Sequence, residues 1–323
     1  FYGNRYGAYL QGLNRIASWQ RSQAMVGAMA VLGGLVTLLL GGGLLALVVV
    51  TQTCGMTGVI ATRLLSQKAA TESGIATQKT AVLDREIVSA AWTSAWRSGI
   101  GLALTSGLLQ VSNLLYAQVG SSAQLASYLL GLRLIQAINQ FSQAPLYSKL
   151  PELTRLWASG RHAEQILVAK RGMRRAYWVF VLAFAIVGFA APPALEAIGS
   201  RAEFPGAALW ALLGAGFLLE RYGAMHLQLY STTNHIVWHV VTAGYAAIFM
   251  TTSMIMYPVV GVFAFPLGVL AGHLGFYSWY SAKHSYRAFS LKFMEFEGAT
   301  SALPLSTFFV SAVIMILLDA AGR

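Results

Sequence analysis

Residues 24–62 read AMVGAMAVLGGLVTLLLGGGLLALVVVTQTCGMTGVIAT, a stretch without a single charged side chain. The stretch divides into two apolar runs, 24–40 and 44–62, at the triple glycine of residues 41–43. A helix that crosses the hydrocarbon core of a bilayer needs about 20 residues. Glycine has no Cβ and therefore tolerates the backbone angles of a tight turn. The stretch predicts two membrane-spanning helices joined by a short turn.

Seven more apolar runs of similar length follow, which predicts an all-α polytopic membrane protein. They are residues 98–119, 123–145, 176–198, 207–230, 236–257, 262–281 and 302–319.

Lysine and arginine are concentrated in every second gap between the nine runs, which hold 17 of the 22 basic residues. These seventeen are Arg15, Arg21, Arg63, Lys68, Lys79, Arg85, Arg97, Lys149, Arg155, Arg161, Lys170, Arg171, Arg174, Arg175, Lys283, Arg287 and Lys292. The gaps 41–43, 120–122 and 258–261 contain none, and 199–206 contains only Arg201. Polytopic membrane proteins keep their basic loops in the cytoplasm. The alternation therefore predicts both the membrane location and the orientation of the chain.

Composition supports this interpretation and excludes an ordinary soluble domain. Hydrophobic residues make up 56% of the chain, charged residues 10%, and the mean hydropathy is +0.60. The net charge of +11 fits the cytoplasmic loops of a membrane protein, so we do not expect nucleic acid as a partner. Cys54, the only cysteine, lies in an apolar run, which excludes a disulfide within the chain and a cysteine-based zinc site.

The order of the runs predicts two bundles and an extra helix. The chain starts at Phe1, and residues 1–20 resemble the cytoplasmic end of an earlier span, so we expect an N-terminally incomplete chain. Residues 1–85 are predicted to hold the C-terminal part of a first bundle and the start of a linker. Residues 86–297 are predicted to form a second bundle of six helices, preceded by an interfacial helix, and 298–323 an additional transmembrane helix.

Two arginines lie within apolar runs, Arg133 in 123–145 and Arg221 in 207–230. Because an arginine at mid-bilayer depth costs roughly 2.5–3.5 kcal/mol on insertion scales, each needs a partner or a function. Arg133 has no obvious acid on its own helix, so it favours an anionic partner. Arg221 has three possible environments: an acid on another helix, the inner surface or a cavity. The adjacent Glu220 points about 100° away around the helix and does not automatically pair with it.

Uncharged polar side chains form two stripes on neighbouring runs. The first consists of Ser106, Gln110 and Asn113. The second continues from Arg133 at 3-4-3 spacing and consists of Gln136, Gln140 and Gln143. Such stripes need a polar partner at membrane depth, which is either a neighbouring helix or a water-filled cavity.

Known catalytic and metal-binding patterns are missing from the sequence. His235 and His239 have i, i+4 spacing, but no third ligand follows at a suitable distance, so no metal site is predicted. His273 is predicted to be a polar packing residue. The sequence has no Walker loop, HExxH, GxSxG or dinucleotide motif, so neither an ATP-driven pump nor a cofactor is expected.

Several segments carry a family resemblance. Residues 127–161 (SYLLGLRLIQAINQFSQAPLYSKLPELTRLWASGR), 172–178 (GMRRAYW), 220–239 (ERYGAMHLQLYSTTNHIVWH) and 265–289 resemble bacterial polysaccharide flippases. These belong to the multidrug/oligosaccharidyl-lipid/polysaccharide exporter superfamily, and the resemblance covers most of residues 1–297. It implies two six-helix bundles in a V-shaped arrangement around a central, cationic cavity, with the first bundle incomplete here.

The resemblance implies a transporter in the bacterial cytoplasmic membrane rather than an enzyme. Its expected substrate is an undecaprenyl-diphosphate-linked oligosaccharide, flipped to the outer leaflet by alternating access for export of a surface polysaccharide such as exopolysaccharide or O-antigen. Membrane lipids and a coupling ion, Na⁺ or H⁺, are the other expected partners. The expected diphosphate contacts are Arg133 and, as a weaker second, Arg221, and the expected sugar contacts are Gln136, Gln140, Asn113 and Gln110.

Two alternative functions stay open. A drug or cation antiporter of the same superfamily needs an acidic cavity, and Glu220 is the only acid well inside a run. A membrane-bound glycopolymer ligase or polymerase usually carries its catalytic residues on large outer loops. The outer gaps predicted here are too short for such loops.

Overall fold

The structure is a computed structural model, and the residues it describes are helical or lie in the short connections between helices. It describes residues 4–13, 15–73, 85–86, 89, 92, 95–96, 99–100, 122–197, 199 and 203–321. The α-helices are α1 (Asn4–Gly12), α2 (Ile16–Leu39), α3 (Leu44–Glu72), α4 (Ser122–Tyr147), α5 (Leu150–Ala158), α6 (His162–Ala197), α7 (Ala207–Ser231), α8 (Trp238–Val260), α9 (Ala264–Gly272), α10 (Ser278–Ala288), α11 (Phe293–Thr300) and α12 (Ala302–Ala321). A 3₁₀ turn, Gly261–Phe263, precedes α9, and a π-helical segment, His273–Tyr277, joins α9 to α10.

Helices cover eight of the nine predicted apolar runs, and the prediction of an all-helical membrane protein is confirmed at that level. Four described helices are long and apolar enough to cross a membrane: α3, α6, α8 and α12. The run 98–119 lies almost entirely outside the described residues. The two-bundle exporter architecture stays a prediction.

The chain divides into two compact units, residues 1–84 and 85–323, and α12 belongs to the second. The predicted divisions were after residues 85 and 297. In the first unit, α2 and α3 pack along each other, and Gly41 between them has a φ of +75°. That left-handed conformation favours glycine, so the predicted triple-glycine turn is confirmed.

The core of the second unit forms around one face of α6. Tyr177, Phe180 and Phe184 on this face are fully buried. Phe184 stacks on Trp210 of α7 with ring centroids 5.2 Å apart, and on its other side contacts Phe308 of α12 at 4.7 Å. These aromatic contacts hold α7 and α12 against α6.

Helix α7 packs against α4, α9 and α10, whereas α8 packs on α9 and the π-helical segment. Two close approaches depend on glycine. A Cβ on Gly223 of α7 would lie 2.5 Å from the ring of Tyr277, and one on Gly272 would lie 2.7 Å from the ring of Tyr245. Both tyrosine rings therefore fit only because these positions lack a side chain. The space left between α4, α7, α8 and the π-helical segment is a cavity.

Candidate ligand-binding cavity

The cavity lies within the second unit and has a volume of about 590 Å³. This is in the range of about 300–1,000 Å³ that is typical of small-molecule sites. Helix α4 lines it with one face, which carries Tyr128, Leu132, Gln136, Asn139, Gln140, Gln143 and Tyr147. Helix α7 contributes Phe217, Glu220, Arg221, Ala224 and Gln228. The remaining wall consists of Trp238, Thr242, Tyr245 and Phe249 of α8, with Val269, His273 and Tyr277.

Arg221 and Asn139 connect α7 to α4 in the wall of the cavity. The Arg221 side chain is 2% exposed, and its Nε donates a hydrogen bond to Asn139 Oδ1 at 3.0 Å. Its Nη2 donates to the backbone oxygen of Asn139 at 2.7 Å and to Oδ1 at 2.6 Å. Hydrogen bonds to a charged donor are stronger than neutral ones, so this pair fixes the guanidinium plane.

Three lining residues carry a buried polar atom without a hydrogen-bond partner among the described residues. These atoms are Arg221 Nη1, Gln228 Oε1 and His273 Nδ1. An unsatisfied buried polar group costs about 1–3 kcal/mol, so native proteins seldom leave one without a partner. Three lining residues therefore carry a polar atom behind the cavity surface whose hydrogen bond the described residues do not complete.

The stripe of glutamines on α4 adds further unused hydrogen-bonding capacity. Gln136, Gln140 and Gln143 line the cavity, and none has a side-chain hydrogen bond within the described part of the chain. Each amide offers two N–H donors and a carbonyl acceptor. The aromatic rings on the opposite wall, Trp238 and Tyr245, provide flat apolar surface. The lining therefore suits a ligand that has both hydroxyl groups and apolar faces.

The charges of the described lining residues balance, because Glu220 and Arg221 each contribute one. The two residues are adjacent on α7, yet both reach the cavity. The resemblance implied a cationic cavity, whereas this one pairs a single guanidinium group with a single carboxyl group. The formal charge of the described lining is therefore zero, with one group of each sign.

The structure brings together some of the predicted substrate contacts. Gln136, Gln140 and Arg221 share the cavity. Arg133 is exposed and lies outside the lining, and among the described residues it forms no hydrogen bond or salt bridge. Gln110 and Asn113 lie outside the described residues. The role of each in binding substrate stays a prediction.

Several lining residues were not singled out from the sequence. Asn139 lies on the predicted stripe, three residues from Gln136, so the spacing identified its face but not its contact with Arg221. Gln228 follows Arg221 by two helical turns, which is a usable signal. His273, which was predicted to be a polar packing residue, is buried and contacts the rings of Tyr245 and Tyr277; it also lines the cavity, which the sequence did not indicate.

Within the described part of the chain, no group of three or more His, Cys, Asp or Glu side chains could hold a metal ion. Comparison of the sequence and structure with protein-family models, curated proteins and solved structures finds no match.

Proposed function

We propose that the chain is a flippase that moves an undecaprenyl-diphosphate-linked oligosaccharide across a bacterial cytoplasmic membrane. The observation that supports this most directly is the unused hydrogen-bonding capacity of the cavity. Gln136, Gln140 and Gln143 line the cavity without a side-chain hydrogen bond among the described residues. A sugar is a ligand that supplies many hydroxyl groups at once.

Each part of the lining has a role in this mechanism. The amides of Gln136, Gln140 and Gln143 replace water around the sugar hydroxyls. The rings of Trp238 and Tyr245 pack against the apolar faces of the sugar rings. The substrate can therefore leave water without losing its hydrogen bonds, which is the main energetic obstacle to moving a sugar chain through hydrocarbon.

The diphosphate needs a cation. Arg221 is the proposed cation of the cavity wall: Asn139 accepts hydrogen bonds from its Nε and Nη2, and Nη1 has no partner among the described residues. Arg133, the first diphosphate contact expected from the sequence, remains part of the proposal and is exposed on α4. Alternating access, driven by Na⁺ or H⁺, then carries the headgroup across while the lipid tail stays in the bilayer.

The test is flipping in proteoliposomes. The purified chain is reconstituted with a fluorescent polyprenyl-diphosphate oligosaccharide, and an added glycosidase reports how fast the inner-leaflet pool becomes accessible. We expect faster exposure than in protein-free liposomes. A rate equal to that of empty liposomes contradicts the proposal.

A matched pair of double variants tests the cavity. Gln136→Leu with Gln140→Leu removes two cavity amides and is expected to slow flipping about tenfold or more, because two sugar hydrogen-bonding groups, each worth about 1 kcal/mol, are lost. Gln52→Leu with Gln67→Leu makes the same chemical change at exposed positions of α3 and should leave the rate unchanged. Equal rates for both double variants would remove the cavity from the mechanism.

One observation favours a second candidate, a drug or cation antiporter. Glu220 lines the cavity together with the aromatic side chains Trp238, Tyr245 and Tyr277. A carboxylate and aromatic faces are the groups that bind organic cations. Uptake of ethidium into proteoliposomes under a pH or Na⁺ gradient tests this. Ethidium uptake that is lost in Glu220→Gln, together with oligosaccharide flipping no faster than in empty liposomes, identifies the antiporter.

A further inference from the structure

Basic side chains near the start of α6 fall into two classes. Three basic residues of the segment 149–175 form salt bridges, and these are Lys149–Glu152 at 3.0 Å, Arg161–Glu164 at 2.5 Å and Lys170–Glu295 at 3.3 Å. The other four, Arg155, Arg171, Arg174 and Arg175, are exposed, and among the described residues none of them has a side-chain hydrogen bond or a salt bridge. Arg171, Arg174 and Arg175 lie close together on α6. Three adjacent guanidinium groups therefore carry uncompensated positive charge.

These arginines lie in line with an exposed apolar stripe on the same helix. At 100° per residue, Arg171 and Arg175 point in nearly the same direction as Leu182 and Ile186. Leu182 is 51% exposed and Ile186 is 65% exposed. In a membrane helix an exposed apolar stripe contacts acyl chains, so the arginines lie where that stripe meets the headgroups.

Helix α11 packs beside Lys170 of α6 and exposes a second apolar surface. Lys170 pairs with Glu295 of α11, and its Nζ lies 5.6 Å from the ring centroid of Phe296. Two apolar side chains of α11 are exposed: Phe293 by 58% and Met294 by 81%. Exposed apolar side chains next to basic ones are typical of a helix that lies in the membrane interface.

We propose that Arg171, Arg174 and Arg175 form a binding site for the headgroup of an anionic phospholipid. The planar guanidinium groups bind the phosphate oxygens in bidentate contacts. Leu182 and Ile186, exposed in line with Arg171 and Arg175, contact the acyl chains of the same lipid. The site is on the side of the membrane that carries the basic loops, and it does not depend on what the cavity transports.

Native mass spectrometry of the detergent-solubilised full chain tests the site, with dioctanoyl-phosphatidylglycerol as the probe and dioctanoyl-phosphatidylcholine as the neutral reference. Wild type should bind phosphatidylglycerol more tightly than phosphatidylcholine. Arg171→Gln, Arg174→Gln and Arg175→Gln are combined in one variant. We expect this variant to bind phosphatidylglycerol roughly tenfold to a hundredfold more weakly, since three interfacial charges are lost.

The control variant combines Lys149→Gln, Arg155→Gln and Arg161→Gln, which removes the same net charge from exposed positions elsewhere. It should bind phosphatidylglycerol like wild type. Equal weakening in both triple variants would show that only the overall charge matters, and unchanged binding in the first variant would exclude these arginines. If the first variant does not fold, the salt dependence of lipid binding by the wild type still tests the proposal. The wild type's preference for phosphatidylglycerol should weaken as salt rises, and equal binding of both lipids at low salt overturns the proposal.

Discussion

Arg133 and Arg221 are two arginines in apolar helical runs, and the structure gives them opposite environments. Arg221 is buried in the wall of the cavity and donates three hydrogen bonds to Asn139. Arg133 is exposed on α4 and forms no hydrogen bond or salt bridge among the described residues. The position of a charge along a membrane helix therefore does not determine its role. The direction in which the side chain points determines whether it meets a hydrogen-bond partner. A charge with such a partner connects two helices, and a charge without one is free to bind a ligand.

The largest expected difference between the two arginines is in how much each contributes to the free energy of unfolding. Arg221→Met leaves Asn139 without its charged donor and is expected to lower the free energy of unfolding by about 3 kcal/mol. Arg133→Met, the matched control, removes no described contact and should change it by less than about 0.5 kcal/mol. Denaturant unfolding in mixed micelles, followed by circular dichroism, measures both. Similar losses in the two variants would abolish the distinction.

Glu297, a buried acid outside the membrane-spanning segments, allows the same comparison for a negative charge. Glu297 of α11 accepts a hydrogen bond from His226 Nε2 at 3.2 Å, and further ones from Tyr286, Ser301 and Thr300. Burial raises the pKa of Glu297, but the hydrogen bonds from His226, Ser301 and Tyr286 more than offset this and hold it below its usual value.

If the hydrogen-bond partners of Glu297 stabilise its charge, Glu297→Gln should lower the free energy of unfolding by about 2 kcal/mol at neutral pH. The sign of the pH dependence follows from the lowered pKa. The stabilisation is fully present above the pKa of an unfolded glutamate, about 4.3, and is lost as the pH falls through the lowered pKa of the folded state. Thermal unfolding from pH 7 to pH 3 should therefore show the two proteins converging in acid. A constant difference across this range would contradict the assignment.

The contact between Arg221 and Asn139 can be isolated by a double-mutant cycle. Arg221→Met and Asn139→Leu are measured singly and together, and the expected coupling is about 1 kcal/mol, in the range of interhelical hydrogen bonds in membranes. A cycle of Arg133→Met with Asn139→Leu should give no coupling. Additive effects in the first cycle would mean that burial alone, without the hydrogen bonds, stabilises Arg221.

The helices were largely predictable because apolar runs of membrane length are a strong local signal. The run 207–230 corresponds to Ala207–Ser231, and 302–319 to Ala302–Ala321. The run 262–281 was predicted as one helix, but it contains the π-helical segment His273–Tyr277. A π segment inserts a residue into the helical repeat without changing the hydropathy, so the composition of the run did not reveal it.

For the candidate site, the sequence predicted which side chains share one face of a helix, but not which of those faces line the cavity. Spacing placed Gln136, Gln140 and Gln143 on one side of α4, and all three line the cavity. Arg133 was assigned to the same stripe, but it lies 60° from Gln136 around the helix, at the edge of the face. Which edge faces the cavity depends on how α7 packs against α4, and that contact is set by distant residues such as Arg221.

The smallest expected effect on stability belongs to Arg133→Ala, which should leave the protein level and the unfolding free energy almost unchanged. Under the flippase proposal it should nevertheless abolish export, because an exposed cation without a described partner is free to bind the diphosphate. The proteoliposome flipping assay measures this, with Arg133→Lys as the charge-conserving control, expected to retain part of the activity. Normal flipping by Arg133→Ala would remove Arg133 from the mechanism and leave Arg221 as the diphosphate contact. Loss of both stability and flipping would show instead that Arg133 has a structural partner outside the described residues.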